Sequence, residues 1–188
     1  MTVQAAQTRV LDLLSEINRP GIDSVIEFIK TSNYMTTAQC HGHHRREYGL
    51  MMHSLEVLDT MLGMNILGFP RESLIVVALF HDLGKATLNG HRIGRGMHPA
   101  RSVAILNKCG FELTSQERSA IYSHHPGSDP RKLAAALGNP LQVLLHAGDV
   151  VLYKRGVVLA LNEVRNVVHR SRAVEGVHGD EVLECARL

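Results

Sequence analysis

The chain has 188 residues, enough for one domain to bury a sizeable core without disulfides or an obligate partner. Apolar residues make up 45% of it and charged residues 20%, the balance of a soluble globular protein, and a formal charge of only +2 argues against a long nucleic acid or a membrane surface as partner. Three widely spaced cysteines, Cys40, Cys109 and Cys185, argue against a disulfide framework or a C-x-x-C zinc knuckle and fit a reducing cytosol.

Apolar residues recur mostly at helical spacing, and strand signals are scarce. Residues 3–17 read as a helix with Val10, Leu13, Leu14 and Ile17 on one face, ended by Asn18-Arg19-Pro20-Gly21. No basic flank leads from residues 1–10 into an apolar segment, so no signal peptide is expected. A second short helix spans 22–30, with Val25, Ile26 and Ile29 inward. Residues 31–48 are polar, histidine-rich and irregular, and a connection of that length often carries function. The spacing then predicts a helix over 49–64, with Leu50, His53, Val57, Leu58 and Met61 along one stripe.

Gly68-Phe69-Pro70 is a turn into a helix over 71–80, apolar nearly all round and therefore central. Its longest apolar run, 74–80, is far too short to span a bilayer. The helix ends at His81-Asp82-Leu83-Gly84, where the glycine permits a sharp stop. Residues 87–96 form a glycine-rich basic loop. Helices are expected over 99–108, 115–123 and 131–137, in a long segment after Asn139-Pro140, over 157–169, and over 180–187. No repeat or linker interrupts the pattern. One all-α domain over 1–188 is expected, its motif-bearing core at about 43–153 with helices from 1–42 and 154–188 packed on it, and a cytoplasmic location.

Twelve histidines stand beside four phenylalanines, four tyrosines and no tryptophan. A lone histidine on a helix is ordinarily a core or surface residue; here several gather near helix ends and buried faces with two aspartates. In order they are His53, His81, Asp82, His98, His124, His125 and Asp149. Imidazole and carboxylate suit divalent iron, manganese, zinc, cobalt or nickel. Seven such groups are too many for one ion and suit two, if one aspartate bridges. Asp82 is the natural bridge. Both aspartates interrupt apolar segments, where an uncompensated carboxylate is costly, and neither has a lysine or arginine immediately beside it. Two cations would lower the pKa of a shared water and neutralise charge on phosphate oxygens. Lys85, one turn past the ligand pair, is placed to grip a further oxygen.

At these residues the chain resembles the HD superfamily, whose core pattern is a histidine, a His-Asp pair and a distant aspartate on successive helices. The match is His53, His81-Asp82 and Asp149, with ALFHDLGK (78–85) a typical form of the central motif. The extended pattern, falling on His98 and His124-His125, resembles the two-metal subgroup. The resemblance implies a compact all-α bundle with the metal site at its centre. It further implies one ion on His53, His81, Asp82 and Asp149, and another on Asp82, His98, His124 and His125. HHRREYGLMMHSLEVL (43–58) is similar to a segment of HD-type 3′-to-5′ exoribonucleases and of HD domains in conjugative relaxases. YSHHPG (122–127) and LLHAGD (144–149) are similar to the corresponding exoribonuclease segments.

Other positions stay open. His91 competes with His98, although Pro99 favours a helix starting just after His98. His43 and His44 are candidate substrate or supporting groups, or simply solvated. Arg131 is a candidate phosphate grip, as are Arg45, Arg46, Arg92, Arg95 and Lys132, with solvated loop residues as the alternative. Departures from the family narrow the substrate. The Gly-Tyr-Pro motif of cyclic-di-GMP phosphodiesterases is replaced by His124-His125-Pro126-Gly127, Gly49 stands where a third metal would want an acid, and no room remains for the nucleic-acid domain of the exoribonucleases. The implied function is a metal-dependent phosphohydrolase, a phosphodiesterase of nucleotides or short oligonucleotides working through a metal-bridging hydroxide, with Asp82 and Lys85 catalytic. The alternatives are a di-iron oxygenase of a small phosphorylated or polyol substrate, whose pattern usually has a single histidine where this chain has two, and a non-catalytic nucleotide-binding module.

Overall fold

The computed structural model describes residues 1–38, 47–87, 97–125 and 138–154, with the helix path alone over 150–154. The regular elements are α1 Val3–Ser15, α2 Ile22–Thr31, α3 Gly49–Gly63, α4 Arg71–Phe80, a 3-10 turn Leu83–Lys85, α5 His98–Lys108, α6 Ser115–Tyr122 and α7 Pro140–Lys154. The fold is all-α, and no strand occurs among the described residues. The helices expected over 131–137, 157–169 and 180–187 lie outside them, as do His43, His44, His91 and Arg131. Among the described residues no helix is long and apolar enough to cross a membrane.

α4 is the axis of the core. Leu74, Ile75, Val76, Val77, Ala78, Leu79 and Phe80 are all fully buried, so beyond its first turn the helix has no outer face. The six larger side chains each contribute about 1.5–3 kcal/mol of burial energy. That is enough to carry a charged residue into the centre at the helix end, provided the charge is compensated. α3 packs along α4 and α7, α6 against α4, α5 and α7, and α1 against α2, α3 and α4. α1 is capped by the Thr2 hydroxyl, which accepts from the Ala5 amide at 3.2 Å. It ends at Ser15, two residues before the apolar pattern does: Glu16 and Ile17 bond back to the carbonyls of Leu13 and Leu14 in a tightened last turn, and Ile17 stays buried.

Arg19, in the turn after α1, ties three elements together. Its Nε meets Glu72 at the start of α4 at 2.6 Å, and its Nη1 and Nη2 grip Glu117 of α6 at 2.6 and 2.9 Å. Glu117 is fully buried and also closes a capping box, accepting from the Thr114 amide at 2.9 Å while its own amide donates to the Thr114 hydroxyl. Burial alone would raise the Glu117 carboxyl, but the Arg19 and Thr114 bonds outweigh it and hold it below its ordinary value. Its folded-state pKa is therefore depressed, so the stabilisation is complete above the unfolded-state value and is lost as pH falls through the folded one. Glu117→Ala is expected to cost about 3–5 kcal/mol, by urea unfolding at pH 7, and to flatten the acid limb of the stability curve; an unchanged midpoint would show the pair to be idle.

Candidate metal centre

Asp82 is the second residue past α4 and its side chain is 1% exposed. Its two oxygens face different partners. Oδ2 lies 3.3 Å from His81 Nε2 and 3.8 Å from His53 Nε2, whereas Oδ1 lies 3.1 Å from His98 Nε2 and 3.6 Å from His124 Nε2. Two tight donor groups result, His53-His81-Asp82 and Asp82-His98-His124-His125, with the donor atoms of each within 4.8 Å of one another. Asp82 belongs to both. A carboxylate with one oxygen toward each group has the form of a bridge between two cations.

Asp149, on α7, stands just outside both tight groups and meets them through their members: Oδ1 is 3.0 Å from His53 Nε2 and Oδ2 is 3.6 Å from His125 Nδ1. Asp82 and Asp149 thus converge on one centre, both about fully buried. Lys85 reaches back from the 3-10 turn to place Nζ 2.5 Å from Asp82 Oδ2. The absence of a basic residue immediately beside Asp82 in sequence therefore understated its compensation, because a lysine three positions on returns to the same carboxylate. Burial alone would raise the Asp82 carboxyl, but His81 and Lys85 beside it hold it well below the usual range. Burial acts the same way on Asp149, and the His53 bond brings its carboxyl below the usual range.

The histidines are oriented from behind by helix ends. His81 is the first residue past α4, and its Nδ1 lies 2.9 Å from the Ala78 carbonyl, one of the acceptors that a helix end leaves open. His124 repeats the device past α6, with Nδ1 2.7 Å from the Ile121 carbonyl. A carbonyl only accepts, so each Nδ1 carries the proton and each Nε2 is turned toward Asp82. Burial pushes His81 down toward the neutral ring, against the pull of Asp82. With that ring neutral, its Nε2 lone pair faces a carboxylate oxygen 3.3 Å away, so the contact is favourable only with a proton or a cation between the two atoms. Among the described residues His81 Nε2 and Asp149 Oδ2 are buried with no hydrogen-bond partner. A cation between such atoms satisfies both sides, and the donor set of imidazoles and carboxylates suits a divalent transition metal. The residues present fit a divalent metal ion.

α5 begins at His98, with Pro99 in its first turn, and delivers the ring to Asp82; His91, the competitor, lies outside the described residues. Asp59, six residues past His53 on α3, is not among the groups that support the cluster. Asp59 instead pairs with Arg9 on the surface. Behind His81 and His124 the support is main-chain carbonyl, and Ser102, which sequence reasoning missed, ties the backbone of the cluster together. Ser102 is buried, accepts from the Gly84 amide at 2.8 Å, and shares its proton between the carbonyls of His81 and His98, each 2.9 Å away. The signal was a small polar residue one turn into α5, too common to single out. His125 is the open side of the cluster, with 45% of its side chain exposed.

Gly84 has a stricter role than stopping α4. A Cβ there would stand 2.1 Å from the His98 carbonyl oxygen and 2.8 Å from the Ser102 amide, both backbone atoms that cannot swing aside. The α5 start rests on bare glycine, and its contact sets where His98 lies. Gly84→Ala is expected to cost about 1–3 kcal/mol in thermal unfolding and to weaken metal uptake at the His98 side. A variant with wild-type melting and metal content would show the contact to be slack.

A family model for the HD domain matches residues 50–160. Neither the curated proteins nor the solved structures yield a match. HD domains bind divalent metals and are in general metal-dependent phosphohydrolases. The match covers more than half of the sequence and takes in the helices that bring His53, His81, Asp82 and Asp149 to one centre, and the chain belongs to the HD domain family.

Proposed function

We propose that the chain hydrolyses a phosphodiester in a nucleotide or short oligonucleotide, using two divalent transition-metal ions. The single observation that carries this is the division of the Asp82 oxygens between two histidine groups. His53, His81 and Asp82, joined by Asp149 through His53, would hold one ion; Asp82, His98, His124 and His125 would hold the other. When bound, the pair supplies Lewis acidity, making water nucleophilic at neutral pH and offsetting charge on the phosphoryl oxygens.

The remaining work falls to the protein. The α4 and α6 ends hold the Nδ1–H of His81 and His124, so that each Nε2 is the atom left to face an ion. Asp82 is 1% exposed, and its low-dielectric surroundings strengthen each charge interaction there. Lys85, with 11% of its side chain exposed, holds a positive charge at the shared carboxylate, where it can grip a phosphoryl oxygen. Exposure of His125 favours substrate entry from its side.

Metal analysis and hydrolysis of bis(p-nitrophenyl) phosphate test the proposal. Asp82→Asn is expected to lose both ions and nearly all turnover. Lys85→Met is expected to keep its metal while kcat falls about 100- to 1,000-fold, the scale of losing one charge-stabilising donor. Normal turnover by metal-free protein would refute the two-ion mechanism. Substrate-dependent oxygen uptake by the iron-loaded protein would favour an oxygenase, and tight nucleotide binding without cleavage a binding module.

A further inference from the structure

α7 grips the end of α6 through two side chains. Gln142 Nε2 donates to the Ser123 carbonyl at 2.7 Å, and His146 Nδ1 stands 3.0 Å from the His124 carbonyl, where it must be the donor. Asn139 holds the other end of α6, donating from Nδ2 to the Gln116 carbonyl at 2.9 Å while Oδ1 accepts the Leu141 and Gln142 amides. Asn139, Gln142, His146 and Asp149 recur at three- and four-residue spacing, one polar stripe on a helix that otherwise buries Leu141, Val143, Leu144, Leu145 and Ala147. Gln142 is 1% exposed, so its amide is committed inward. A buried amide and an imidazole spent on two consecutive carbonyls need a reason, because apolar side chains at those positions would leave the carbonyls unsatisfied.

That reason lies in the residues whose backbone is held. α6 ends at Tyr122, and its helical hydrogen bonding stops at the Ser123 amide, which bonds to the Ser119 carbonyl at 3.0 Å. His124 and His125 follow with no helix to fix their peptide planes. Rotation of the Ser123 or His124 peptide would swing both rings, and donor atoms must be held within about 0.5 Å to ligate well.

We propose that Gln142 and His146 are positioning residues that lock the Ser123 and His124 peptides, so that His124 and His125 face Asp82 and the ion on that side is bound tightly. This rests on the two-ion reading above. His146 acts through its Nδ1–H and not as a ligand.

The test is cobalt(II) titration of the full chain, followed by visible absorption and by metal analysis after gel filtration, with folding checked by circular dichroism. His98→Ala marks the spectral signature of losing the ion on the His98 side. His146→Leu removes the donor; His146→Asn keeps an N–H near the Nδ1 position. The wild type is expected to bind two ions. H146L should bind one at wild-type affinity and the H98A-sensitive one about 10- to 100-fold more weakly, with H146N restoring most of the loss. Gln142→Met should weaken the same ion and decides the matter if H146L does not fold. Undiminished binding in both H146L and Q142M, equal weakening of both ions, or an H146N variant as poor as H146L would overturn the clamp. A wild type that takes up no cobalt would overturn the two-ion reading, and this inference with it.

Discussion

A carboxylate sits just past the end of α4, the most deeply buried helix among the described residues, and the site is arranged around that fact. Taking Asp82 out of water costs several kcal/mol, and neighbouring positive charge must return it. α4 supplies the burial energy; Lys85 and four imidazoles supply the surroundings. The expense is tolerated because a desolvated carboxylate set among imidazoles is a strong ligand for a divalent cation, whereas the same group in water is a weak one. Stability and site chemistry are therefore bound up in one residue.

Helix ends do the aiming. An α-helix leaves its last carbonyls open, and in a core those carbonyls need donors. The last turn of α4 meets that need with the His81 amide on Val77, the His81 ring on Ala78 and the Tyr34 hydroxyl on Leu79. α6 uses the His124 ring on Ile121 in the same manner. A requirement of secondary structure is converted into a choice of tautomer, so the rings need no separate carboxylates behind them.

Much of this was legible in the sequence, for identifiable reasons. The helix over 71–80 was fixed by Pro70 at one end and the change of pattern at His81 at the other, and its all-round apolarity announced its central place. The start of α5 was legible from Pro99, because proline belongs in a first turn. Less was legible where contacts join residues far apart in sequence. Nothing local in Ser102, Gln142 or His146 distinguishes a residue that holds a backbone carbonyl from one that faces solvent. Gly84 looked like a stop signal, since what it accommodates comes from α5, more than a dozen residues later. The 3.0 Å approach of His53 to Asp149 joins α3 to α7 and is equally invisible to periodicity.

The matched family segment opens at residue 50, but the charge network does not respect that border. Arg19 lies thirty residues upstream and neutralises an acid inside the part that carries the motifs. A protein trimmed to the family boundary would keep Glu117 in its interior and discard the guanidinium that makes it tolerable, loosening α6 and with it the histidine pair that α6 delivers. The first two helices are accordingly part of the scaffold of the site, even though they contribute no candidate ligand to it.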